Sequence, residues 1–104
     1  MLEEFNSKTF LECLHTAFQI HVAGHEPLTV ELIEVSERNT SPQLEQFSLF
    51  FRGPASPYAL QATHQMEHEK LGRFDLFLVP LGPDALGMRY EAVFNRFRKS
   101  GEVA

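Results

Sequence analysis

Tryptophan is absent from this chain of 104 residues, cysteine occurs once and aspartate twice. With Cys13 alone, an intramolecular disulfide is excluded and a reducing compartment is the default expectation. With Asp75 and Asp84 the only Asp residues, no spacing rule picks a catalytic carboxylate pair out of the twelve Glu. No apolar run approaches the roughly 20 residues that span a bilayer as a helix, so no membrane partner is expected. The start, Met1-Leu2-Glu3-Glu4-Phe5, is acidic and lacks the basic and apolar regions of a signal peptide. A soluble cytoplasmic protein is therefore expected. Cations are also scarce: nine Lys and Arg stand against fourteen Asp and Glu, a net charge of −5. Such a surface is a poor match for a phosphate backbone, and nucleic-acid binding is not expected.

What is present fits one small domain, residues 1–104. A chain of 11.9 kDa buries about two-thirds of its unfolded surface, enough for one core. Hydrophobic residues make up 43%, and ten Phe give an aromatic-rich interior. Charge is uneven. Residues 1–37 carry seven Glu against one Lys, whereas 88–100 carry Arg89, Arg96, Arg98 and Lys99 against Glu91. These stretches read as solvated faces or as charges that neutralise one another within the fold; the functional alternative is a contact between two copies or with a charged partner.

Periodicity predicts mainly strands. A short helix is read near 8–14, with Thr9 and Glu12 as a capping box and Leu11 and Leu14 on one face. Strands follow over 17–22, 28–35, 46–52, 60–68, 73–81 and 88–97. In 28–35 the apolar parity changes, which calls for burial on both faces or a bulge near Leu32. Residues 38–45 read as a polar surface loop, and 82–87 as another. The segment 73–81 is apolar on both faces and should be central. Something must cover its second face: the curl of the sheet, the helix or another protomer. No helical pattern separates the strands, so parallel βαβ units are excluded. The expectation is all-β: an antiparallel meander of about six strands forming a small barrel or sandwich, with a short N-terminal helix.

Candidate chemistry is thin. His64-Gln65-Met66-Glu67-His68 matches the H-x-x-E-H metalloprotease motif. On a strand, however, His64 and His68 stand about 13 Å apart, too far to grip one ion. His21 and His25 flank a turn but lack Cys or Asp neighbours in sequence. Cys13, beside Leu11 and Leu14, reads as a small buried or half-buried thiol rather than a nucleophile. Gly82-Pro83-Asp84-Ala85-Leu86-Gly87 has P-loop glycine spacing, but Met88-Arg89 replaces the required Lys-Ser/Thr. It reads as a turn in which Asp84 bonds its own backbone. Asn39-Thr40-Ser41 fits a glycosylation sequon, without a secretion signal to make it relevant. No enzyme, metal or cofactor is expected.

Four stretches carry a resemblance over nearly the whole chain: Phe47-Ser48-Leu49-Phe50-Phe51-Arg52-Gly53-Pro54; Glu67-His68 with Leu71-Gly72; Phe77-Leu78-Val79-Pro80-Leu81-Gly82-Pro83; and Met88-Arg89-Tyr90-Glu91-Ala92-Val93-Phe94-Asn95. Together they resemble an uncharacterised family of small bacterial proteins, a domain of unknown function ending in an RYEAVFN-like strand. The resemblance implies an accessory or assembly factor for a phage-tail-collar-like fibre protein, and supplies no catalytic residue. In the family pattern Glu-His recurs while position 64 is usually not His. The reading is a non-enzymatic binding or assembly module, acting on a protein partner or on itself, with Arg52, Asp84, Arg89 and Arg96 as contact residues. The alternative is a small β-barrel holding an apolar small molecule between Phe-lined walls.

Overall fold

Alternating side chains commit this chain to strands, and in the computed structural model six of them close on each other. The structure describes residues 5–38 and 43–97. After helix α1 (Ser7–Leu11) come β1 (Ala17–His21), β2 (Leu28–Arg38), β3 (Leu44–Gly53), β4 (Ala62–His68), β5 (Gly72–Asp84) and β6 (Gly87–Phe97). All pairings are antiparallel, and the order around the closed barrel is β1-β2-β3-β6-β5-β4. The ring is thus two three-stranded meanders, not one continuous meander. The link 54–61 crosses one end, so that β4 reaches β1 and β6 reaches β3. Tyr90 anchors that link: its hydroxyl accepts the Ala59 amide at 2.8 Å inside the protein.

Inward residues fill the interior. Phe18, Ile20, Leu32, Leu49, Phe51, Met66, Leu78 and Tyr90 are wholly buried. Each such side chain adds about 1.5–3 kcal/mol of apolar burial. The parity change in β2 is a bulge: the register against β3 shifts between Leu32 and Glu34.

Several boundaries differ from the sequence reading. Strands β2 and β3 extend into the polar stretch at Arg38 and Leu44; residues 39–42, with the sequon, lie outside the described residues, as do Arg98 and Lys99. Strand β4 starts at Ala62, not at 60. The 82–87 loop shrinks to a tight hairpin turn, because Pro83 and Asp84 still belong to β5. Pro80 and Pro83 are tolerated there because β5 pairs with β4 only as far as Leu78, which leaves one side of the strand without a ladder. Gly87 is required: its φ is +133°, and a Cβ would stand 2.1 Å from the Gly53 carbonyl oxygen.

The helix starts one residue earlier and ends three residues earlier than the predicted 8–14, and its cap lies three residues earlier. Asn6 is the N-cap and Thr9 the reciprocal N3 partner, so Thr9 and Glu12 do not form the box. Phe10 and Cys13 therefore point inward, and Leu11 is exposed. Strand β5 divides its pairing, with β4 over Gly72–Leu78 and with β6 over Val79–Asp84. Where β5 and β6 part, α1 plugs the gap. The Phe10 ring lies 6.2 Å from Phe74 and 5.6 Å from Phe94, and Phe5 meets Phe74 edge-on at 5.5 Å.

Candidate functional site

Three of the four contact residues picked from the sequence gather at one end of the β3–β6–β5 sheet. Arg52 and Arg89 are cross-strand partners. Arg52 Nη2 donates to Asp84 Oδ2 at 2.8 Å, while Asp84 Oδ1 accepts the Leu86 amide at 2.8 Å. That amide and the Arg52 guanidinium hold the Asp84 carboxyl below the usual carboxylate range. The Arg89 guanidinium lies over the Phe50 ring, 5.6 Å from its centroid. Arg96 is elsewhere. It has the inward parity of β6, not the polar outer one, and sits at the opposite barrel end. There its Nε donates to Glu45 at 3.0 Å and its Nη2 donates to the Phe5 carbonyl. Arg96 ties the segment before α1 to the barrel mouth.

The histidines separate just as clearly. His64 and His68 lie on one face of β4, four residues apart. The His64 Nε2 meets the Leu60 carbonyl at 2.7 Å. The buried His68 makes a chain of bonds: its Nδ1 accepts the Lys70 and Leu71 amides at 3.0 and 3.4 Å. Its Nε2–H therefore donates to Thr16 Oγ1 at 2.8 Å, and Thr16 donates onward to the Cys13 carbonyl at 2.6 Å. Burial lowers the His68 pKa. The same burial pushes the Cys13 thiol up, the reverse of what a nucleophile needs. With both His68 nitrogens engaged, this network positions the 68–72 turn and offers no base to the thiol. His21 bonds Glu67 at 2.8 Å, with Arg73 3.6 Å from the same carboxylate. Among the described residues no group of three or more His, Cys, Asp or Glu is arranged to hold a metal ion.

Two surface features remain. At one barrel end a cleft of about 770 Å³ is lined by Val22, Pro27, Leu28, Pro57, Tyr58 and Leu60, with His25, Glu26 and His64 supplying polar groups. No sequence signal pointed to it, because its walls come from two distant links. The second feature is on the outer face. Phe77 (50% exposed) and Leu81 (46%) lie to either side of Val79 on β5, and Val93 (66%) is exposed on β6, two residues past Glu91, the cross-strand partner of Val79 at which the β5–β6 ladder ends. The double-sided apolar pattern of 73–81 was legible in the sequence. The barrel's curl and α1 cover the inner face of β5 and leave this outer stripe open.

Among known families, the model of the domain of unknown function DUF6916 fits residues 5–94. No curated protein and no solved structure matches the chain. The match runs from the segment before α1 through nearly all of β6, so it spans every element of the barrel, and the chain belongs to the DUF6916 family.

Proposed function

We propose that this domain is a non-enzymatic protein-contact module whose working surface is the outer face of β5 and β6. The observation that carries the reading is the open stripe of Phe77, Val79, Leu81 and Val93 on a barrel whose interior is already filled. Solvent-facing apolar clusters of this kind are retained where another surface covers them. The His68–Thr16 network, which ends on the Cys13 backbone carbonyl, and the pairing of Asp84 with Arg52 support a structural rather than catalytic use of the polar residues. The resemblance to small bacterial proteins associated with fibre genes supports a finer reading, in which the domain assists a phage-tail-collar-like fibre protein in the cytoplasm. The net charge of −5 supports a protein rather than a nucleic-acid partner.

A photo-crosslinking residue at position 77, expressed in the native cell, tests this. One defined protein adduct is expected, lost when Val93→Lys is added. The absence of any adduct, or measured turnover of a substrate, would remove the reading. The 770 Å³ cleft favours a second reading, an apolar small-molecule site outside the barrel rather than within it. Saturable binding of an apolar fluorescent probe, abolished by Tyr58→Ala, would support it.

A further inference from the structure

We propose that the cleft between the β1–β2 turn and the 57–64 segment binds a small organic cation, an amine carried on an aromatic or aliphatic body. The inference rests on the small-molecule reading of that cleft above and names the charge of its ligand. Both walls are held by the chain itself. On one side Ala59 is buried and its amide donates to the Tyr90 hydroxyl, which leaves its neighbours Tyr58 (48% exposed) and Leu60 (69%) at the surface. The His64 Nε2 then ties the Leu60 carbonyl to β4 at 2.7 Å. On the other side the His25 amide donates to the Val22 carbonyl at 3.0 Å, and Gly24 turns the chain with φ +79°. Walls that are set before binding spare the ligand the entropy of ordering them. The volume, about 770 Å³, falls in the range of small-molecule sites.

The polar groups choose the charge. Among the described residues that line the cleft, Glu26 is the one carboxylate, and no Lys or Arg accompanies it. Glu26 is exposed and has no ion-pair partner among the described residues. Beside it stand two imidazoles, His25 and His64. A carbonyl oxygen only accepts, so the His64 Nε2 carries the hydrogen, and the Nδ1 of the neutral ring is left as an acceptor. No cation covers the Tyr58 ring among the described residues, and the face of such a ring attracts one. An amine therefore finds a carboxylate and an aromatic face, with Pro27, Pro57 and Leu60 against its apolar body. A ligand carboxylate finds Glu26 and no fixed positive charge to offset it.

NMR titration of the isotope-labelled full chain at about pH 8, above the ordinary imidazole range, tests this. The probes are phenethylamine, phenethyl alcohol and phenylacetate, which share one ring and differ in charge. The amine should bind about fivefold or more tighter than the alcohol, and the acid weakest, with shifts confined to 22–28 and 57–64. Glu26→Gln should weaken the amine about threefold and leave the alcohol unchanged. Added salt should weaken the amine alone. Tyr58→Ala should abolish binding of both. The spectra themselves report whether each variant keeps its fold. Equal affinity for the three probes, a preference for the acid, or an amine affinity indifferent to Glu26→Gln would overturn the inference. If the alcohol then still binds saturably and depends on Tyr58, the apolar small-molecule reading of the cleft stands without the cation. If no probe shifts any resonance of the cleft, both fail. The contact-module reading of β5 and β6 is decided separately by the adduct at position 77.

Discussion

His68 shows how one buried polar side chain can hold a turn. The Lys70 and Leu71 amides need an acceptor, and Nδ1 provides it only while it carries no proton. Protonation would aim an N–H at two N–H donors and leave them unsatisfied. Burial lowers the folded-state pKa below its ordinary value of 6.5, so on acidification the unfolded chain takes up this proton first. Stability linked to His68 is present above about pH 6.5 and is lost as pH falls from there toward the folded pKa. Asp84 acts in a separate, more acidic window: its lowered pKa means a contribution present above 3.8 and lost as pH drops below it. Thermal melts should therefore show the wild type losing stability as the pH falls through and below about 6.5. His68→Gln should be less stable at pH 7 by about 1–3 kcal/mol, with a shallower slope over that interval. Equal slopes in the two proteins would contradict this account. The same residue closes an H-x-x-E-H match that the strand spacing already set aside, since that motif constrains chemistry only on a helix.

At the level of elements, α1 matters more than its five residues suggest. A helix this short does not hold itself; Phe10 holds it, packed among Phe5, Phe47, Phe74 and Phe94. The Phe10 ring in turn closes the gap where β5 leaves β6 for β4. Phe10→Ala should cost about 3–5 kcal/mol, because strands fixed in a ring cannot collapse into the cavity. Chemical denaturation measures this, and a cost below about 1 kcal/mol would mean that α1 merely decorates the barrel. Asn6 and Thr9 obey the same capping rule that made Thr9 and Glu12 attractive. Both registers satisfy the local pattern, and only the inward path of Phe10 selects the earlier one.

For the molecule as a whole, ring closure is uneven. The β3–β6 ladder runs through ten residue pairs, from Leu44↔Phe97 to Gly53↔Met88. The β1–β4 ladder that closes the barrel has three, Gln19↔Glu67, Ile20↔Met66 and His21↔Gln65. The short seam should open first. Native-state hydrogen exchange should find amides of β3 and β6 at least about tenfold better protected than those of Gln19–His21. The opposite order would place the weak point elsewhere in the ring. The open stripe on β5 is a property at this same scale, since neither the curl nor α1 reaches the outer face.

Strand periodicity is a local property, and so six strands, their inward faces, the parity change at Leu32–Glu34 and the Asp84 turn could all be read from the residues alone. The buried Cys13 and the double-sided apolar run at 73–81 were legible for the same reason. Tertiary structure decided the rest. It made the ring two meanders rather than one, set Arg96 on Glu45 instead of in solvent, and joined His68 to Thr16 across 52 positions of sequence. It also left Phe77 and Val93 uncovered. Alternation tells each strand which side faces inward but not which strand lies beside it. That choice belongs to barrel closure, where burial and hydrogen bonding must be satisfied around the whole ring at once.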